Sequence, residues 1–264
     1  MLMEVKNQFR VSFLTIKYAL IREMLNKTTF FMNIVFMILN NASFIIQMLI
    51  LFSLKEDVGG YTFKQMLLLW GISASTFGVA HFFFKKAFSL SDVINNGKLD
   101  SFLVQPKNVL ISTITTDIET SAIGDLLYGF IILCVYGLSL YNLSLFIFFS
   151  ICGGLMLVSI AVILGSLSFW FKKTDIISDT LNSLMIHFST YPDGIFKGLT
   201  KIILFTILPV GFTVYIPVHI LSSFDLYLFL MVIGVTILLV SLAFFVFYRG
   251  LRRYSSSNLM IARI

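Results

Sequence analysis

Several long stretches of the chain carry no charged residue, and this pattern constrains the fold more than any other feature. Residues 28–54 are the first such stretch, and they exceed the roughly 20 apolar residues that an α-helix needs to cross a bilayer. Only 12% of all residues are charged, whereas a soluble domain averages about 25%. The sequence therefore predicts an all-α integral membrane protein and excludes an ordinary soluble enzyme, a disordered chain and a secreted disulfide scaffold.

Six transmembrane helices are predicted, preceded by one helix of a different kind. Residues 1–27 place apolar side chains at steps of three or four and basic side chains on another face, which is typical of an amphipathic helix in the headgroup plane. A short turn at residues 142–144 separates the third span from the fourth. The predicted spans are residues 28–54, 66–84, 120–141, 145–171, 174–191 and 226–248.

The position of the fifth span allows two interpretations. Residues 202–224 are uncharged, but Pro209 and Pro217 would each remove an amide donor and clash one turn back. Residues 174–191 are more regular, but they carry a polar stripe that only a helix inside a bundle tolerates. The stripe consists of Asp175, Asp179, Asn182 and His187.

Both interpretations give six spans. In the first, residues 174–191 cross the bilayer and residues 193–224 dip in from outside as a broken re-entrant hairpin. In the second, residues 174–198 lie on the cytoplasmic face and residues 202–224 cross. The distribution of lysines slightly favours the second. The prolines expected to shape the hairpin of the first are Pro192, Pro209 and Pro217.

The distribution of basic residues predicts the orientation. With the N-terminus in the cytoplasm, 15 of the 19 lysines and arginines fall on the cytoplasmic side. Both termini are therefore expected in the cytoplasm. The net charge of +6 is explained by this topology and by contact with anionic lipid, so the expected partner is the bilayer and not a nucleic acid.

No pattern in the sequence indicates catalysis. The three histidines are far apart, and there is no HExxH, Cys-x-x-Cys, GxSxG or Walker A motif. We therefore expect a chain that is not an enzyme and that holds no metal or cofactor of its own.

Polar residues inside the spans are the candidates for a translocation path or a subunit interface. Asn33, Asn40 and Gln47 recur every seven residues along one face of the first span. Such amides either hydrogen-bond between helices or line a path through the membrane. An acidic side chain is costly in hydrocarbon, so Asp125 in the third span requires a similar explanation. Asp179 and His187 in the fifth span complete this set.

The connection between the second and third spans, residues 92–106, has the pattern of a small helical knob. Gly97 is placed to end one short helix, and Pro106 is placed to stop the next. Leu99, Phe102 and Leu103 would form an apolar face between them. This face is expected either to dock into a partner or to lie flat on the membrane.

Three stretches resemble one family. "INNGKLDSFLVQP" is similar to the segment after the second span of type-2 ABC-transporter permeases, of the bacterial six-span kind with about 260 residues. "TYPDGIF" followed by "ILPVGFTVYIP" resembles the proline-rich segment before their last span, and "YRGLRRYSSSN" resembles their C-terminal ending. With the order of apolar stretches, the resemblance covers nearly the whole chain.

The resemblance implies a permease subunit of an ATP-binding-cassette exporter in the bacterial cytoplasmic membrane. Such a subunit pairs with a second permease, identical or homologous, and with two copies of a separate ATPase that binds ATP and magnesium. It implies that residues 174–191 are the fifth span, followed by a re-entrant hairpin. The residues expected to couple to the ATPase are Ile94, Gly97, Leu99, Asp100, Phe102, Leu103 and Pro106.

Two other functions compete with this one. A stand-alone secondary transporter would relay protons through Asp125, Asp179 and His187, although such proteins usually show inverted repeats. An intramembrane enzyme is less favoured, because no nucleophile and base converge in the sequence.

Overall fold

The fold is that of a computed structural model, which describes residues 2–171 and 174–255. Helices dominate these residues, and an isolated bridge between Val58 and Tyr61 is the sole β pairing among them. The prediction of an all-α fold is confirmed. The helices are α1 (Leu2–Glu23), α2 (Lys27–Leu54), α3 (Phe63–Phe84), α4 (Leu90–Asn95), α5 (Asp100–Leu103), α6 (Val109–Ile114), α7 (Ala122–Gly137), α8 (Leu140–Ser166), α9 (Asp175–Ser189), α10 (Leu199–Thr206), α11 (Ile216–Ser222) and α12 (Leu226–Leu251).

Some predicted features fall on residues that the structure does not describe. These are the lysine pair at 172–173, Arg263, and residues 256–258 of the C-terminal ending.

Side-chain caps fix where the long helices begin. The Asn26 side chain accepts from the Thr29 amide before α2, and Asp225 accepts from the Tyr227 and Leu228 amides before α12. Thr62 forms a reciprocal capping box with Gln65 before α3. Each cap satisfies amides that have no partner inside the first helical turn.

The predicted turn at residues 142–144 is wrong, because these residues belong to α8. The chain turns earlier, at Gly137, whose φ of 143° lies in a region that glycine adopts without strain. The side chain of Ser139 then accepts from the Asn142 amide at 3.1 Å and starts α8. The fourth apolar helix therefore starts five residues before the predicted residue 145.

The centre of the bundle is formed by α3 and α8, and small residues let their neighbours approach closely. A Cβ on Gly153 would lie 2.8 Å from the side chain of Thr76, and one on Gly71 would lie 2.8 Å from Ile132. Glycine therefore brings α8 and α7 against α3. By contrast, α2 and α12 expose most of their apolar side chains at the periphery, as expected of helices that face lipid.

Four helical stretches are long and apolar enough to cross a membrane by length and composition, among the described residues. They are Lys27–Leu54, Phe63–Asn95, Leu140–Phe169 and Leu226–Leu251. The pair formed by α10 and the stretch Gly211–Ser222, bent by 73°, would add a fifth if it were one span. Since α7 and α9 have 16 and 15 residues, they fall short of the usual length. Six crossings therefore stay a prediction.

Both ends of the described chain lie at the same end of the bundle, here called the terminal end. The Gln8 side chain in α1 accepts from the Asn108 amide at 3.0 Å and donates to Ser112 at 3.3 Å. The Tyr254 hydroxyl donates to Asp100 at 2.9 Å. The terminal end thus gathers α1, the short helices α4 to α6 and the end of α12.

The opposite end, here called the loop end, joins the α2–α3 loop to the turn before α10. The Tyr61 hydroxyl donates to Asp193 at 2.9 Å, and Lys201 forms an ion pair with the same carboxylate at 2.9 Å. Gly59 and Gly194 approach so closely that a side chain on Gly194 would strike the Gly59 carbonyl.

The three prolines of the predicted hairpin occupy different positions. Pro192 precedes the 3₁₀ turn Asp193–Ile195, and Pro209 lies at the bend after α10. Pro217 lies in the first turn of α11, directly after a π-helical segment at Gly211–Tyr215. Pro217 therefore lies inside one continuous helical stretch, Gly211–Ser222, where a break was expected, at the junction of a π-helical and an α-helical part.

Candidate functional site: a membrane cavity and a helical segment at the terminal end

A cavity of about 290 Å³ lies among α2, α3, α7 and the end of α9. Two classes of side chain line it. The aromatic wall includes Phe44, Trp70, Phe77 and Tyr128, and the polar side chains include Asn40, Asn41, Ser73, His81, Glu119 and Asp125.

One hydrogen bond places the acid of the cavity. The Asn41 amide on α2 donates to Asp125 Oδ1 on α7 at 2.6 Å. The two helices approach because residue 124 is glycine, since a Cβ there would lie 2.6 Å from the Ile34 carbonyl oxygen. Asp125 is only 9% exposed, and no lysine or arginine among the described residues forms an ion pair with it.

The aromatic wall is held by a bond to α9. The Trp70 indole donates to the Thr190 carbonyl at 2.8 Å, and the Phe44 ring lies with its centroid 5.9 Å from that of Trp70. This bond and this ring contact fix the indole where it lines the cavity.

The predicted stripe on the first span separates into three environments. Asn33 donates to Thr120 at 3.0 Å, so it acts between helices. Asn40 lines the cavity, whereas Gln47 is exposed and lies outside it. Asn41, the residue that bonds the acid, lies beside this stripe and not in it.

Two other predicted site residues lie away from this cavity. Asp179 and His187 are exposed on α9 and are not among the residues that line it. The structure therefore does not bring them to Asp125, as a proton relay through the three residues would require.

A cluster of ion pairs at the terminal end includes Glu119, which lines the cavity. Arg22 of α1 pairs with Asp117 at 2.6 Å, and Lys86 approaches the same carboxyl at 3.6 Å. Lys85 pairs with Glu119 at 2.9 Å. Burial would raise the pKa of Asp117, but the hydrogen bond from Arg22 and the nearby positive charges outweigh it and lower that pKa.

The second candidate element is the pair α4 and α5, here called the short-helix segment, residues 90–104. Gly97 separates the two helices with a φ of 67°, as the sequence predicted. Leu90 packs against α8, where a Cβ added to Gly165 would lie 2.8 Å from the Cβ of Leu90. The Ser168 hydroxyl, just after α8, donates to Ser91 at 2.8 Å.

The apolar face predicted for docking needs a correction. Leu99 is 0% exposed and Ile94 is buried, because both pack into the core of this chain. Phe102 is half-buried, whereas Leu103 and Pro106 are exposed. The most exposed apolar side chain here is Val104, at 84%, which the periodicity did not single out.

The remaining predicted residue, Asp100, holds the segment to the end of the chain. It accepts the hydrogen bond from Tyr254, which follows α12. The short-helix segment thus touches α8 and the end of α12. The described residues contain no group of three or more His, Cys, Asp or Glu side chains that could hold a metal ion.

Comparison with known proteins places this architecture in a family. No curated protein and no solved structure shows significant similarity to the chain. The model of one family, described as "ABC-2 family transporter protein", matches residues 37–258, which cover most of the chain and include the cavity and the short-helix segment. The type-2 ABC-transporter resemblance is thereby confirmed, and the chain belongs to the ABC-2 family of transporter proteins.

Proposed function

We propose that the chain is the permease subunit of an ATP-driven exporter in a bacterial cytoplasmic membrane, with its terminal end in the cytoplasm. It forms the translocation path and pairs with a second permease and two copies of an ABC ATPase. That ATPase binds the ATP and magnesium, so this chain is not the catalytic subunit. Membership of a transporter family and the apolar helices support the membrane role.

The observation that supports the coupling role is the way in which the short-helix segment packs against the rest of the chain. Its inner side chains, led by Leu99, are buried against this chain, while Val104 and Leu103 remain exposed at the terminal end. A partner that pushes on the exposed side would therefore move α8 and α12 through buried contacts. Coupling between sites can be carried by packed side chains, and a segment with one buried and one exposed face fits that role.

The contacts at the two ends support six crossings and a re-entrant hairpin. Thr174, just before α9, contacts Ser91 at the terminal end, and Asp193, just after α9, bonds Tyr61 at the loop end. The next long helix, α12, begins with Phe229 stacked on Phe148 near the start of α8. The segment between α9 and α12 therefore begins and ends at the loop end. Under this proposal α9 is the fifth span.

An exposed amide on α2 supports a second permease. Gln47 lies outside the cavity, on a helix that is largely apolar and mostly exposed. An amide facing lipid lacks a hydrogen-bond partner, and a neighbouring permease would supply one.

Crosslinking tests the coupling role with a matched pair of sites. Val104 and Leu140 are both 84% exposed, but they lie at opposite ends of the bundle. Each is replaced by cysteine in a chain whose Cys134 and Cys152 are alanine, and the chain is expressed with an ABC ATPase. Crosslinking of the ATPase through V104C and not through L140C is expected. Equal crosslinking at both sites, or none at V104C, would contradict the proposal.

Transport is the second measurement. The purified complex in vesicles is expected to move substrate only with ATP and magnesium. A proton gradient that drives transport without ATP would instead support a secondary transporter, which the separation of Asp125 from Asp179 and His187 disfavours.

A further inference from the structure

The cavity between α2, α3, α7 and α9 joins an acidic group to an aromatic wall, and this pairing selects a class of ligand. Its volume of about 290 Å³ is close to the lower limit for small-molecule sites, which is about 300 Å³. We propose that it binds an organic cation with an apolar body, such as an aryl ammonium, with the positive group at Asp125. The inference rests on the permease role proposed above and names the substrate class of that path.

The first argument is the negative charge of Asp125, which no positive side chain among the described residues of the cavity balances. Glu119, the other acid that lines the cavity, already pairs with Lys85 at 2.9 Å. Asp125 has only the Asn41 amide, which bonds Oδ1 and carries no charge. The described part of the chain thus leaves the Asp125 carboxyl without an ion-pair partner. A cation entering the cavity would supply one, and an anion would be repelled.

The second argument is the aromatic wall. Trp70 is fixed by its bond to the Thr190 carbonyl and lies against Phe44. Aromatic faces attract cations, and Trp does so more strongly than Phe or Tyr. They also take up the apolar body of the ligand. A small inorganic cation has no apolar body and would leave most of this wall without contact, so the ligand class is organic.

The third argument is an unsatisfied hydroxyl. Tyr128 lies one turn after Asp125 on α7 and lines the cavity, and it is only 4% exposed. Its hydroxyl has no hydrogen-bond partner among the described residues. A buried hydroxyl without a partner is costly, and the N–H of a bound ammonium would donate to its oxygen and reduce that cost.

Binding can be measured on the full chain in lipid nanodiscs through the fluorescence of Trp70. Trp170→Phe leaves Trp70 as the sole tryptophan. The probe is benzyltrimethylammonium, and the comparisons are its uncharged isostere neopentylbenzene and the anion benzenesulfonate. We expect saturable quenching by the ammonium alone. Equal binding of the uncharged isostere would overturn the inference.

Variants separate the charge from the fold. Asp125→Asn keeps the shape and should weaken binding at least about tenfold, because it removes the partner of a buried cation. Asp179→Asn removes an exposed acid outside the cavity and should leave binding unchanged. Ala74→Phe fills the cavity with Asp125 intact and should also abolish binding. Unchanged affinity in either Asp125→Asn or Ala74→Phe would overturn the inference.

The source of the cation is distinguished by the lipid. The same ammonium chemistry is found in free amphiphiles and in the headgroup of phosphatidylethanolamine. Competition by that lipid in the nanodisc indicates a lipid ligand, and its absence indicates a free one. Because this assay contains no ATPase, binding without ATP-driven transport would refute the exporter role alone. ATP-driven transport by a chain that binds no ammonium would refute this inference alone.

Discussion

Tyr61 and Asp193 are 132 positions apart in the chain, yet the tyrosine hydroxyl donates to the carboxylate at 2.9 Å. Lys201 holds the other carboxylate oxygen, so the α2–α3 loop, the turn before α10 and α10 itself meet at one acid. Burial and the negative charge of Asp193 both raise the pKa of Tyr61. The hydroxyl therefore keeps its proton, and the bond persists, beyond the ordinary tyrosine pKa of about 10.

The first prediction concerns this contact. Tyr61→Phe removes a hydrogen bond to a charged group, which is typically worth about 1.5–3 kcal/mol. We expect faster amide hydrogen exchange in residues 193–206, with little change in α3 and α8. Tyr227→Phe is the control, since Tyr227 is exposed and lies near the same end. Equal exchange in wild type and Tyr61→Phe would show that the contact does not hold the hairpin.

The second prediction concerns the side of the membrane that residue 197 faces. Lys197 is exposed and lies in the segment proposed as re-entrant from outside. In a background with Cys134 and Cys152 replaced by alanine, Lys197→Cys should react with an impermeant thiol reagent on intact cells. Ser101→Cys at the terminal end should react only after lysis. Labelling of Lys197→Cys only after lysis, like that of Ser101→Cys, would restore residues 202–224 as the fifth span.

The third prediction concerns the attachment of α1 through Arg22 and Asp117. Because the folded pKa of Asp117 is lowered, its contribution is fully present above the ordinary aspartate pKa of about 3.9 and is lost as pH falls through the folded value. Arg22 is more than half exposed, so we expect only about 0.2–1 kcal/mol from this pair. At pH 7, Asp117→Asn should raise hydrogen exchange in α1.

A matched acid and a pH series check that prediction. Glu56→Gln removes an exposed acid at the loop end and should leave α1 unchanged. With both proteins compared at each pH, the difference between wild type and Asp117→Asn in the exchange of α1 should disappear only in strong acid. A wild-type α1 that loosens already near pH 6 would contradict the assignment to Asp117.

The apolar helices were predictable because a long uncharged run has few ways to fold other than crossing a bilayer. The start of α8 was not predictable. Residues 142–144 are polar, but the capping bond between Ser139 and the Asn142 amide places them inside the helix. Local polarity suggested a turn, but the turn needed the positive φ that Gly137 supplies.

The site was less predictable, because its contacts join distant parts of the chain. Asn41 and Asp125 are 84 positions apart, and the sequence has no signal for their pairing. The sequence predicted the apolar face of the short-helix segment. Periodicity alone cannot tell whether such a face packs against a partner or against the core of its own chain. Leu99 therefore seemed available for docking, whereas it is buried against this chain.

The last prediction concerns transmission between the short-helix segment and α12. Tyr254→Phe removes the hydrogen bond to Asp100 and leaves Val104 on the surface. If an ATPase pushes on Val104, its movement should then reach α12 less effectively. We expect the ATPase to remain bound and to hydrolyse ATP, with several-fold less transport for each ATP hydrolysed.

Three measurements on one purified complex check this prediction: crosslinking through V104C, ATP hydrolysis, and transport in vesicles. Tyr141→Phe is the control, because Tyr141 is exposed at the start of α8, at the loop end. A fall in crosslinking in Tyr254→Phe would mean that the bond shapes the docking surface. A ratio of transport to hydrolysis equal to that of Tyr141→Phe would show that the Tyr254–Asp100 bond does not transmit movement. The route through α8, where Leu90 packs beside Gly165, would then be the one that carries it.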